Sequence, residues 1–141
     1  MCVTAVCGKL HIATGEMTFI NSGHESILTF DKNKNYDYIK AEMPPTGIRK
    51  YCTESMVKSN TINIKDKSLV VYTDGVTEGY LKNGEELGAE GVQDIINNIS
   101  NITPKSIVDS IEKELNWGAE KLRDDITCMA INIDNTELIK K

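Results

Sequence analysis

An α+β fold is expected from three features of the sequence. Short strand-like segments separated by turn signals fill the first half. From residue 92 the hydrophobic period lengthens to that of a helix, and an apolar strand-like run returns at 126–133. A chain of 141 residues, 40% hydrophobic and 26% charged, has the size and composition of one globular domain with one core.

The first strands are expected at residues 2–12, 17–21 and 26–30, with turns at Thr14-Gly15 and Ser22-Gly23, forming a meander. Residues 31–37 are polar and read as a hairpin tip, after which Tyr38 and Ile39 return as a short strand. Pro44 and Pro45 break regular structure before Thr46-Gly47-Ile48. A further strand pair is expected at about 57–64 and 68–73, joined by the charged turn Lys65-Asp66-Lys67. Leu69 to Tyr72 can bury side chains on both faces of a sheet, the pattern of a central strand. Val92, Ile95, Ile96 and Ile99 then fall on one helix face. Thr103-Pro104 is an N-cap followed by proline in the first turn, opening a helix that buries Ile107, Val108, Ile111 and Leu115 and ends near Trp117-Gly118. The strand at 126–133 is almost wholly apolar and is expected to be interior. Residues 134–141 form a polar tail, so the domain is bounded at 1–133. There are no internal repeats and no low-complexity segment.

Composition excludes several functions. No apolar run approaches the length of a spanning helix, and the N-terminus lacks the pattern of a signal peptide, so a cytoplasmic chain is expected. A net charge of −5 disfavours nucleic-acid binding through a general basic surface. Cys2, Cys7, Cys52 and Cys128 contain no C-x-x-C pair. On a strand, Cys2 and Cys7 point to opposite faces and Cys7 lies roughly 13 Å from His11, so these three could not share a zinc ion. Buried, reduced cysteines are the expectation. The glycosylation patterns at Asn98 and Asn101 are taken as chance in a cytoplasmic chain.

Two acidic positions are candidates for a site. Asp74 stands where the apolar run Leu69–Tyr72 leaves the core, followed by Gly75. Asp-Gly is a common hairpin-turn pair, yet the residues after it run into a polar, glycine-bearing stretch leading to a helix rather than an alternating strand. Loops at strand ends often carry sites. Asp124 and Asp125 stand just before the last apolar strand. If the two strands are antiparallel neighbours, the end of the first lies beside the start of the second, and the carboxylates converge. Such a pair needs compensation. Arg123 could provide it, as could a hard divalent cation held by carboxylate and water oxygens.

Seven stretches, taken in order, resemble a known family: Met1-Cys-Val-Thr-Ala5, Thr14-Gly15-Glu16, Asn21-Ser-Gly-His24, Pro45-Thr-Gly-Ile48, Tyr72-Thr-Asp-Gly-Val-Thr-Glu78, Gly84-Glu-Glu-Leu-Gly88 and Arg123-Asp-Asp-Ile-Thr127. They are similar to the C-terminal half of the bacterial serine phosphatases of the sporulation stage II E type, within the type 2C, or PPM, protein phosphatases. The resemblance implies a β-sandwich flanked by helices in α-β-β-α layers, with Mn²⁺ or Mg²⁺ held by aspartates at one end. It implies Asp74 and Asp124 as metal ligands. Asp125 occupies a place often taken by Asn and is not assigned as a ligand. With Thr73 and Gly75 it is a supporting residue. Asn21, Gly23 and His24 form a structural loop in which His24 hydrogen-bonds across the turn, and Glu25-Ser26 stand where the family often has prolines.

The implied reaction is hydrolysis of phosphoserine or phosphothreonine by metal-activated water, with no covalent enzyme intermediate. The implied substrate is a regulatory phosphoprotein such as an anti-sigma factor antagonist, with an upstream sensor domain or self-association as further partners. A complete family domain holds two ions, using an aspartate and an Asp-Gly motif from an earlier segment. This chain starts after both, so at most one weak site and little or no activity in isolation are expected. The alternatives are a non-catalytic partner-binding module built on the same fold and a β-rich ligand-binding domain unrelated to phosphatases.

Overall fold

The computed structural model describes residues 2–48, 50, 53–115 and 125–133. Its strands are β1 (Ala5–His11), β2 (Glu16–Ser22), β3 (Ile27–Asp31), β4 (Tyr36–Ile39), β5 (Asn60–Asn63), β6 (Lys67–Tyr72) and β7 (Cys128–Asn132). Its helices are α1 (Asp74–Thr77), α2 (Gly88–Asn97) and α3 (Pro104–Glu114), with a 3-10 turn at Glu54–Met56. The strands form two antiparallel sheets, in the orders β1-β2-β5 and β4-β3-β6-β7. This is the expected α+β class. Among the described residues, no helix is long and apolar enough to cross a membrane.

The chain divides into two compact units, one reaching Leu69 and taking in Asn132 and Ile133, the other spanning Val70–Ile131. In the first, β1 and β2 pair with Gly8 opposite Phe19, and β2 pairs with β5 so that Phe19 also faces Asn60. Phe19 is buried on that face, while Thr18 and Thr61 share a hydroxyl hydrogen bond of 3.1 Å on the other. Ile27, Leu28 and Phe30 of β3 are all buried, so β3 uses both its faces. Phe30 stands opposite Tyr36 of β4 with ring centroids 5.4 Å apart. The β3–β4 turn is closed by Asp31, whose carboxylate accepts hydrogen bonds from the Asn35 side chain at 2.8 Å and from the Asn33 and Asn35 N–H groups.

The expected meander is not formed. β2 and β3 follow one another in sequence but belong to different sheets, and so do β5 and β6, which were expected to pair. The chain changes sheet through the loop after Ser22 and again at the turn carrying Asp66, whose φ is 61°.

In the second unit, Val70 and Tyr72 of β6 are buried, as are Val92, Ile95 and Ile96 of α2 and Ile107 and Ile111 of α3. α2 packs against α1 and α3. Ile99, expected on the α2 stripe, lies just beyond the end of that helix, where its N–H donates to the Ile96 carbonyl. α3 opens on a capping box: Thr103 Oγ1 accepts from the Ser106 N–H, and Ser106 Oγ accepts from the Thr103 N–H. It ends at Glu114, and Leu115 is already extended at ψ 133°. The expected end at Trp117-Gly118 lies outside the described residues, as does the polar tail.

Two burial expectations are corrected. β7 is not interior: Met129 is 50% exposed and the remaining β7 residues are half-buried. Among the described residues the strand stands last in its sheet order, beside β6, and apolar composition at the end of a sheet does not bury a strand. Cys2 and Cys7 are exposed rather than buried. Strand alternation puts Gly8 on the face of Phe19 and Cys7 on the opposite one. Cys128 is half-buried, and burial pushes its thiol up to about 11. Cys52 lies outside the described residues.

Candidate functional site

The corner at the end of β6 is set by a change from strand to helix. Thr73 is still extended, at φ −82° and ψ 161°, and Asp74 begins α1. The Val76 N–H then donates to the Thr73 carbonyl at 2.9 Å and the Glu78 N–H to the Asp74 carbonyl at 2.8 Å. Asp74-Gly75 is therefore not the turn of a two-residue hairpin. It is the first turn of a short helix.

The side chain of Asp74 is exposed, and its Oδ1 accepts a 3.0 Å hydrogen bond from the Gly75 N–H. Gly75 itself is buried. A Cβ at this position would stand 2.6 Å from the main-chain oxygen of Asp125, closer than any real Cβ contact. Only a residue without a side chain lets the segment before β7 run so near.

Thr73 ties the same segment down. Its N–H donates to the Thr127 carbonyl at 3.0 Å. Its Oγ1 accepts from the Thr127 N–H at 3.0 Å and donates to the Asp125 carbonyl at 3.0 Å. The start of the β7 segment thus lies beside the end of β6, as the antiparallel arrangement requires. Asp125 is exposed here. Asp124 and Arg123 lie outside the described residues. Thr127 has no assigned role in the sequence reading, although it closes the Arg-Asp-Asp-Ile-Thr motif. Only its pairing with Thr73 reveals what it does.

The loop Asn21–His24 belongs to the other unit. Asn21 is 1% exposed; its Oδ1 accepts from the His24 N–H at 2.9 Å and its Nδ2 donates to the Glu25 carbonyl at 3.0 Å. Gly23 adopts φ 66°, and a Cβ there would overlap the ring of Pro45. His24 Nδ1 lies 3.2 Å from Thr4 Oγ1.

The donors at the Asp74 corner suit a hard divalent cation in kind, since Asp74 presents an exposed carboxylate. In number they are few. Among the described residues, no group of three or more His, Cys, Asp or Glu side chains could hold a metal ion. A separate groove of about 460 Å³ is lined by Leu87, Gly91 and Ile95 of the α2 region and by Ser110 and Lys113 of α3, and none of the expected site residues lines it.

A sequence model of the stage II sporulation protein E (SpoIIE) family matches residues 1–134. The chain belongs to the SpoIIE family. This SpoIIE-family chain is 26% identical over 135 residues to protein IcfG of Synechocystis sp., across 93% of this chain and 20% of IcfG. Its fold is similar to the phosphatase domain of the cell fate determinant SpoIIE from Bacillus subtilis, solved after presoaking with Mn, with a TM-score of 0.67 and 16% identity over 93% of this chain and 56% of that one. It is also similar to RsbX, solved in complex with magnesium, with a TM-score of 0.60 and 14% identity over 90% of this chain and 54% of that one. The fold is that of the PPM phosphatase domains. The SpoIIE-family chain spans about a fifth of IcfG and little more than half of each of these two structures.

Proposed function

We propose that this chain carries part of a metal-dependent protein serine/threonine phosphatase site, with Asp74 and Asp124 as ligands of Mn²⁺ or Mg²⁺. The observation that carries this reading is the corner itself. An exposed carboxylate at the mouth of a buried strand follows Thr73, whose main chain and hydroxyl tie down Asp125 and Thr127 by hydrogen bonds of 3.0 Å. A bound divalent ion would supply a water of lowered pKa and a positive charge to orient phosphate oxygens. Asp74 would bind that ion, with the Gly75 N–H holding its Oδ1 in place. Thr73 and Gly75 set the distance between the two segments. The proposed substrate is phosphoserine or phosphothreonine on a regulatory protein such as an anti-sigma factor antagonist. At most one weakly held ion is proposed for this chain by itself, completed mostly by water.

Calorimetric titration of the purified chain with Mn²⁺, beside Asp74→Asn, tests this. The expected result is saturable binding to the wild type and none to the variant. Heats equal to background for both would overturn the metal reading and favour a non-catalytic partner-binding module on the same fold.

A further inference from the structure

The charge of the chain is not spread evenly. It has 21 acidic and 16 basic residues, and the stretch from Glu78, which closes α1, to Leu115, which closes α3, holds eight of the former and three of the latter. The remaining residues balance, so the whole net charge of −5 lies in this stretch. The groove of about 460 Å³ between α2 and α3 lies within it. One wall is Gly91 and Ile95 of α2 with Ile99 just past its end, residues four apart that follow one another along the helix axis. Lys113 and Glu114 of α3 stand on the other wall, and Asp94 is exposed beside Ile95. The space is therefore an apolar trough running between two helices, with charged groups on its rims.

We propose that this groove docks a basic amphipathic helix of a partner protein, whose apolar side chains fill the trough while its Lys and Arg side chains lie against Asp94 and Glu114. Among the described residues neither carboxylate has an ion-pair partner, and Lys113 is the single cation of the described lining. A helix suits the trough because its own side chains, three and four apart, pack between rows of the same spacing. The excess of negative charge along α2 and α3 is spread too widely for a small ligand to meet and calls for a partner with several cations. Its sign turns away nucleic-acid phosphates and anionic lipid headgroups. A second copy of the groove would set like charge against like. This docking role is independent of the metal reading.

The test is fluorescence anisotropy of the purified chain with two labelled synthetic peptides of about eighteen residues. Both carry leucine at helical spacing; one has lysine and the other glutamate at the remaining positions. Saturable binding of the lysine peptide, weakened by salt, and none of the glutamate peptide are expected. Asp94→Lys with Glu114→Lys should weaken binding by about tenfold. Ile99→Ser, which leaves the charge alone, should weaken it by about fivefold. Glu42→Lys with Glu54→Lys makes the same change in net charge on exposed residues of the other unit and should cost no more than about twofold. The proposal is overturned by a wild type that does not bind the lysine peptide, by equal losses in the two charge-reversed pairs, or by undiminished binding in Ile99→Ser. If Ile99→Ser does not fold, amide exchange in the wild type decides instead. The Asn98 and Ile99 N–H groups, bonded to carbonyls of the last turn of α2, should exchange more slowly with the lysine peptide bound, and unchanged rates overturn the proposal. A chain that is dimeric by light scattering and becomes monomeric with Asp94→Lys and Glu114→Lys has a second copy in the groove, which also overturns it.

Discussion

Asn21 and Thr73 each stand at the exit of a strand, and each replaces main-chain partners with a side chain that accepts one hydrogen bond and donates another. They differ in reach. Asn21 bonds to His24 and Glu25, three and four residues on, and is buried. Thr73 bonds to Asp125 and Thr127, more than fifty residues on, beside an exposed carboxylate. A local clasp shapes one loop and can be replaced by another loop of the same length. A distant clasp fixes two segments whose relation nothing in the intervening chain determines, which is the arrangement a site assembled from separate segments needs.

The largest test of that contrast is Gly23→Ala. The new Cβ would overlap the Pro45 ring at a positive φ, and a loss of about 3 kcal/mol in urea unfolding is expected, from strain and overpacking together. Mn²⁺ affinity of the folded fraction should not change, because the damage stays in the Asn21 corner. A parallel loss of Mn²⁺ binding would show that the two corners are coupled. Asn21→Ala should follow at about 2 kcal/mol, since it strips partners from the His24 N–H and the Glu25 carbonyl in a part-buried place. Unfolding midpoints within error of the wild type would remove the Asn21 clasp from the comparison.

Asp31 gives the smallest effect and a charged version of the local clasp. The hydrogen bond from the Asn35 side chain, helped by the Asn35 and Asn33 N–H groups, holds its carboxyl below the ordinary value of 3.8. A folded value below the unfolded one means stability that is present above 3.8 and is lost as pH falls through the lowered value. The Tm advantage of wild type over Asp31→Asn should therefore be constant near neutrality and shrink below that pH. An advantage that grows on acidification would contradict the assignment.

The same distinction of range explains what the sequence disclosed. β6 was legible as a central strand because Leu69, Val70 and Tyr72 leave it no polar face, and all three are buried. The start of α3 was legible because a Thr-Pro cap acts on its own next turn. Asp74 drew attention as a lone carboxylate at the mouth of an apolar run, and the structure leaves it exposed there. Pairing was legible only across tight turns: β1–β2 and β3–β4 pair where Thr14-Gly15 and the polar tip after Asp31 announce them. Ser22 and Ile27 are near in sequence, yet β2 and β3 lie in different sheets, because strand identity depends on partners that a local pattern does not name. β7 has the composition of an interior strand but, among the described residues, stands at the end of its sheet order. The role of Thr127 was hidden for a like reason, since a threonine in a short motif says nothing of the hydroxyl it will meet 54 residues away.

The exposure of Met129 has a chemical consequence. A thioether in a closed core resists peroxide and, once oxidised, disrupts its packing with a new polar oxygen. With half of Met129 open to solvent, its sulfur is within reach of oxidants, and the resulting sulfoxide can be hydrated. Redox damage at this residue would thus mark the rim of the sheet while leaving the packing of Val70 and Tyr72 intact.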